Sequence, residues 1–219
     1  MQIKQFEKNS YEWLESRKKK ITGTKLKDLI VKRGTGKKKG FYQLIADRLA
    51  LPEQPNNFIP EGYDLPEDAR ARGHRLESEA IEKFKQIMPS LNINTTPVLC
   101  ISEENENIAY SPDALVYEND EPIATVEVKC LDGANHIEAL ITQDYSDFEY
   151  QMIQGFIVNP KQKYAYLIFY NPTLSHKSLH YIYITRNDVR EKITEIQEYQ
   201  NLTLTEVEDW TNKIINDKI

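Results

Sequence analysis

The feature that most restricts the fold is a series of short apolar segments between residues 96 and 185, joined by polar turns. Residues 96–102 and 108–110 flank the polar loop 103–107, and residues 113–117 and 123–130 flank 118–122. Each set reads as an antiparallel hairpin. A helix is predicted from about 146 to 158, then strands over 164–170 and 179–185. Strands in this order, with one helix crossing between them, build a mixed α/β core with a mostly antiparallel central sheet flanked by helices.

The rest of the chain reads as helical. Residues 10–33 predict a helix, a break at Thr22-Gly23-Thr24 and a second helix from Lys25; a loop at 34–36 and a helix over 41–49 follow. Residues 51–65, with Pro52, Pro55 and Pro60 inside and Pro66 at the border, read as an irregular connection. Residues 67–88 form a long helix whose apolar stripe runs through Leu76, Ala80, Ile81, Phe84, Ile87 and Met88. Glu77 lies on that stripe. A core-facing carboxylate is costly unless it is paired or binds a metal; Arg75 or a lysine would serve as the partner. Two helices close the chain, one capped by Asn187 and one after Leu202 with Thr203 and Glu206 as a capping box. One domain over 1–219 is expected, with a basic helical region at 1–50, a core at 67–185 and C-terminal helices at 186–219.

Net charge is −6, but it is unevenly spread: residues 1–50 carry +9 and the remainder −15. The basic part is either a face for a polyanion or two solvated lysine turns, Lys18-Lys19-Lys20 and Lys37-Lys38-Lys39. No stretch approaches the 18 apolar residues of a membrane span, and the N-terminus lacks a signal-peptide apolar run. A cytoplasmic location is expected, with Cys100 and Cys130 as buried thiols rather than a disulfide.

The chemistry concentrates on the second hairpin. Ser111-Pro112-Asp113 opens its first strand, and Glu127-Val128-Lys129 lies on the second. Alternation points Glu127 and Lys129 to one face and Val126, Val128 and Cys130 to the other. Two carboxylates and an ammonium converging at a buried sheet edge suit a hard divalent cation, with the lysine near its water. A lone Glu-x-Lys is weak, but Asp113 one hairpin earlier and the misplaced Glu77 add to it. Phosphodiester hydrolysis needs this equipment.

At these residues the chain resembles the PD-(D/E)xK nucleases, and more closely the lambda-exonuclease-like (YqaJ) viral recombinases. Gly73-His74-Arg75-Leu76-Glu77-Ser78-Glu79-Ala80 resembles the family's helix motif, Tyr110-Ser111-Pro112-Asp113-Ala114 its turn and Val126-Glu127-Val128-Lys129-Cys130 its strand. Tyr150-Gln151-Met152-Ile153-Gln154 resembles its glutamine-bearing helix, matched at Gln154. Tyr170-Asn171-Pro172 and Leu179-His180-Tyr181 resemble the strands beyond, and Trp13, Arg17, Ile21, Thr22 and Thr24 an N-terminal pattern.

The resemblance implies specific roles. Asp113, Glu127 and the Val128 carbonyl would hold Mg²⁺, Glu77 would serve a second ion, and Mn²⁺ would substitute. Lys129 would position the attacking water, and Gln154 would meet the scissile region. Arg17, Thr24 and Ser111 would bind a 5′-phosphate, while His74 and His180 would be structural. The implied activity is a 5′→3′ exonuclease on double-stranded DNA ends, of phage or prophage origin. It would act as a trimeric ring and leave a 3′ strand for a single-strand annealing partner. The alternatives are a structure-specific or restriction-type endonuclease on the same core, or a DNA-binding protein without catalysis.

Overall fold

The computed structural model describes residues 1–31, 36–51 and 69–218, with backbone alone for 69–74. The loop expected at 34–36 lies mostly, and the connection at 51–65 almost wholly, outside the described residues. The apolar series forms two sheets rather than one. β2 (Asn92–Asn94), β5 (Ala114–Glu118), β6 (Glu121–Lys129), β7 (Tyr164–Tyr170) and β8 (Leu179–Thr185) make a five-stranded sheet in the order β2-β5-β6-β7-β8. β1 (Gln2–Gln5), β3 (Val98–Ile101) and β4 (Ala109–Tyr110) make the second, in the order β1-β3-β4.

β5 and β6 turn tightly at Asn119-Asp120, both at positive φ (49° and 63°). That matches the two-residue hairpin turn whose twist suits the flanking strands. The strands therefore extend into the 118–122 segment expected to be loop. β6 and β7 are parallel, from Ala124↔Tyr164 to Lys129↔Phe169; the connection between them carries α5 (Gly133–Thr142) and α6 (Glu149–Val158). The other pairs in this sheet are antiparallel.

The two sheet faces are filled differently. Ala114, Val116, Val126, Val128 and Ile168 meet α4 (Ala69–Ile87) through Leu76, Ala80, Ile81 and Phe84. Each large side chain buried there contributes about 1.5–3 kcal/mol. On the opposite face Leu115, Leu167 and Phe169 meet Met152, Ile153 and Phe156 of α6. Outside α6 lie α2 (Gly23–Leu26) and α7 (Arg190–Ile215), while α3 (Lys39–Leu49) packs on α7. Glu127 is on this second face, among apolar neighbours, which is what makes its surroundings electrostatically demanding.

Several elements differ from the expectation. The second N-terminal helix is one turn starting at Gly23, because Ile21 leaves helical pairing for the sheet: its N–H donates to Asn107 O (2.8 Å) and its carbonyl accepts from Ala109 (3.0 Å). α5 was not expected, although Asp132 caps it by accepting from Asn135 N–H at 3.0 Å. The closing segment is one helix, not two. Its buried stripe passes through Gln200, Thr203, Leu204 and Val207 without interruption, and Thr203 is interior rather than a cap. β1 and β2 lack the strong alternating pattern of a core strand and form by pairing with β3 and β5.

Gln154 joins these parts. It is fully buried; its Nε2 donates to Ile21 O, Ala109 O and Gln200 Oε1, each at 3.1 Å, and Gln200 Nε2 returns a bond to its Oε1. Gln154→Leu would strand these buried polar groups. The expected outcome is a loss of about 2–4 kcal/mol in unfolding free energy, read by urea denaturation; an unchanged midpoint would contradict the structural role.

Candidate active site

The Ser111-Pro112-Asp113 turn carries the chain from β4 into β5. Asp113 N–H donates to Val126 O (3.0 Å), one step before the Ala114–Val126 pair, so Asp113 stands beside Glu127 on the neighbouring strand. Asp113 Oδ2 accepts from Val128 N–H at 2.9 Å. Glu127 is 4% exposed. Its Oε1 accepts from Tyr110 O–H at 2.5 Å and its Oε2 from Lys129 Nζ at 3.1 Å. Glu77 arrives from α4, and Lys8 Nζ donates to its two oxygens at 2.6 and 2.7 Å and to Asp113 Oδ1 at 3.3 Å. The lysine that stabilises the core-facing Glu77 thus comes from 69 residues away.

Burial and mutual repulsion shape the charges. Burial pushes the Glu127 carboxyl up and Asp113 adds to it, while Lys129 and Tyr110 oppose the shift. Glu77 is pushed up to about 7, first by burial and then by Asp113, with Lys8 opposing. For Lys129, burial works against the ammonium, but Glu127 and Asp113 outweigh it and hold the group above its ordinary value. Tyr110 is raised well above the usual phenol range, mainly by burial and then by the adjacent Glu127. A neutral phenol donating to a buried carboxylate is the stable arrangement.

The Arg17 guanidinium lies 3.9 Å over the Trp13 ring. Burial lowers it to about 10, with Glu127 and Asp113 opposing, so it stands within the field of the carboxylates. No carboxylate among the described residues comes within ion-pair distance of it. Thr24 is exposed, its hydroxyl 3.3 Å from that of Thr22. Ser111 Oγ donates its single proton to Val98 O at 2.7 Å, leaving the oxygen as an acceptor. Among the described residues no hydrogen bond links Arg17, Thr24 and Ser111 to one another.

Gln154 departs from its expected role. Its amide is wholly committed to the interior bonds described above, so it cannot contact the scissile region as the fold stands. The half-buried glutamine on the same helix is Gln151, whose Cα lies 3.1 Å from where a Cβ on Gly23 would stand. Lys8 and Tyr110 escaped the sequence reading altogether as site residues. Lys8 carries no local pattern, and Tyr110 enters only as the strand residue that opens the turn motif, with no role assigned to it. His180 stacks on Phe169, with centroids 6.1 Å apart and planes 9° apart, as a structural residue would. Cys100 and Cys130 are free thiols.

No three His, Cys, Asp or Glu side chains close on one point among the described residues. The donor set nonetheless fits Mg²⁺, which favours one or two carboxylates with retained waters over an all-protein cage. Lys8 already places a cationic group between Glu77 and Asp113. Lys8, Trp13, Glu77, Ser111 and Asp113 line a narrow cleft. A larger cavity, about 490 Å³, lies among Arg48, Asn105, Asn107, Asn201 and Glu208 and contains none of these groups.

The family model of the YqaJ-like viral recombinase domain matches residues 12–165. No curated protein matches the sequence. Among solved structures, the fold is similar to an alkaline exonuclease (LHK-Exo) from Laribacter hongkongensis, with TM-score 0.75 and 21% identity over 94% of this chain and 97% of that one. LHK-Exo in complex with dAMP gives TM-score 0.69 and 20% identity over 94% and 98%. A phage related exonuclease from Haemophilus somnus 129PT gives TM-score 0.52 and 18% identity over 85% and 96%.

A carboxyl raised in the fold binds more protons folded than unfolded, so stability falls as pH rises through the window between the two values. For Glu77 that window runs from the ordinary 4.5 to about 7. In EDTA, the wild-type melting temperature should fall from pH 5 to pH 8, and Glu77→Gln should fall less. Parallel slopes would show that Glu77 is not the strained carboxylate.

Proposed function

Because the chain belongs to the YqaJ-like viral recombinase domain family, we propose that it is a Mg²⁺-dependent deoxyribonuclease of the PD-(D/E)xK type. It acts as a 5′→3′ exonuclease on double-stranded DNA ends. The observation that carries this reading is the convergence of Asp113, Glu127 and Lys129 on one end of the sheet, with Glu77 joined to Asp113 through Lys8. The alkaline exonuclease likeness supports it, and the dAMP complex of that neighbour agrees with release of mononucleotides.

In this reading Asp113, Glu127 and the Val128 carbonyl hold Mg²⁺, with Mn²⁺ able to substitute. The ion supplies Lewis-acid polarisation of the phosphodiester and acidifies water. The chain's own residues do the rest. Lys129, kept cationic by Glu127 and Asp113, orients the attacking water and offsets charge developing on the phosphate. Tyr110 fixes one Glu127 oxygen and Lys129 the other, so that carboxylate keeps one orientation. Val128 N–H does the same for Asp113.

Arg17 supplies the end recognition. A planar guanidinium stacked on Trp13 is already ordered, and its fork of donors matches a terminal phosphate. Thr24 adds a hydroxyl; Ser111 joins only if its bond to Val98 O opens. The products are nucleotides and a 3′ single strand, taken up by an annealing protein, and the active assembly is a trimeric ring around DNA. The setting is the cytoplasm of a bacterial host carrying phage or prophage DNA. Among the described residues no helix is long and apolar enough to cross a membrane.

Linear duplexes labelled at either the 5′ or the 3′ end, beside a covalently closed circle, test the activity. With Mg²⁺ the linear DNA should be resected from 5′-phosphorylated ends and the circle left intact; cleavage of the circle would favour the endonuclease alternative. Lys129→Ala should lose at least about 100-fold in rate. Arg17→Ala should lose about 10- to 100-fold on 5′-phosphorylated ends and little on 5′-hydroxyl ends. Equal losses on both would remove Arg17 from end recognition.

A further inference from the structure

Lys8 is held in place by the fold on both sides. Before it, β1 pairs residue by residue with β3, from Gln2↔Ile101 to Gln5↔Val98. After it, Ser10 caps α1 (Tyr11–Lys18) by accepting from Trp13 N–H at 3.1 Å. Between these anchors the chain reverses in a turn closed by Ser10 N–H donating to Glu7 O at 3.0 Å, with Asn9 at φ 65°. Asparagine is among the few residues that adopt this backbone conformation readily. The turn presents the Lys8 ammonium to Glu77 Oε1, Glu77 Oε2 and Asp113 Oδ1.

We propose that Lys8 is the second cation of the site: it occupies the place between Glu77 and Asp113, so the chain binds one divalent ion, at Asp113 and Glu127. This rests on the metal-dependent reading above. It departs from the two-ion arrangement that the family resemblance implies.

The competition favours the lysine on two grounds. A tethered group competes at an effective concentration on the order of millimolar without a fresh loss of translational freedom, which matches the range of free Mg²⁺. Magnesium also gives up its waters reluctantly, whereas the ammonium already meets both Glu77 oxygens. Asp113 is shared: Oδ1 faces Lys8 and Oδ2 faces the Val128 N–H, toward the Glu127 strand. Glu77 is accordingly a Lys8 ligand rather than a metal ligand. Its carboxylate fixes a positive charge beside the phosphate path, where a second ion would otherwise stabilise the departing oxygen.

The test counts Mn²⁺ bound per full-length chain by equilibrium dialysis at pH 8, without DNA. Wild type and Lys8→Arg should each bind one ion. Lys8→Gln should bind two, as should Lys8→Ala, which removes the Lys8 ammonium from Glu77 and Asp113. Lys8→Gln combined with Glu77→Gln should return to one. Two ions in the wild type, or one in both Lys8→Gln and Lys8→Ala, would overturn the proposal and leave the metal-dependent reading standing. No Mn²⁺ bound by any of the chains would overturn both.

Discussion

Glu127 sits on the sheet face that carries Leu115, Leu167 and Phe169, and Asp113 stands close enough to raise its energy further. Burial and like charge both oppose that arrangement, and an unpaired carboxylate there would cost several kcal/mol. The structure offsets this with donors aimed at individual oxygens. Tyr110 and Lys129 serve Glu127, Val128 N–H and Lys8 serve Asp113, and Lys8 serves Glu77. Glu127 and Glu77 stay raised despite these partners, first because burial disfavours their charged forms and then because Asp113 repels them. A divalent cation between the carboxylates would relieve that repulsion.

The N-terminal segment is held against the core next to this cluster by backbone pairing. Ile21 is bridged to Ile108, and its carbonyl accepts from both Ala109 and Gln154. This fixes the α1–α2 connection against the turn that carries Asp113. Arg17 and Lys8 are thereby delivered from opposite ends of α1 to one acidic centre. Gln154 acts from a distance: it holds the Ile21 backbone that follows α1, the helix carrying Arg17.

Four strands of the five-stranded sheet, β5 to β8, were legible because their signals are local. Strands 164–170 and 179–185 fall where apolar runs and turn residues put them, and alternation on β6 separated Glu127 from Val126 and Val128. Glu77 was found as a charge on an apolar stripe, and its raised carboxyl agrees with that reading. What failed to show was long-range. Lys8 and Tyr110 acquire their roles only when β1, β4 and α4 are brought together; nothing marks residue 8, and Tyr110 stands in the turn motif without a role of its own. Gln154 illustrates the reverse error. A motif match placed it in the site, but the inward side of α6 buries it against Gln200, while Gln151, three residues earlier, stays partly open. The single α7 was misread because Thr203 and Glu206 have the spacing of a capping box. Its buried stripe shows that packing decides.

The central claim is that the end of β5 and β6 is a divalent-metal centre built from Asp113 and Glu127. Crystals soaked in Mn²⁺ and measured at the manganese absorption edge test it directly. The account predicts an anomalous peak about 2.0–2.3 Å from carboxylate oxygens of both Asp113 and Glu127. It would be contradicted by manganese bound only elsewhere, with these two carboxylates still held solely by Tyr110, Lys129, Val128 and Lys8.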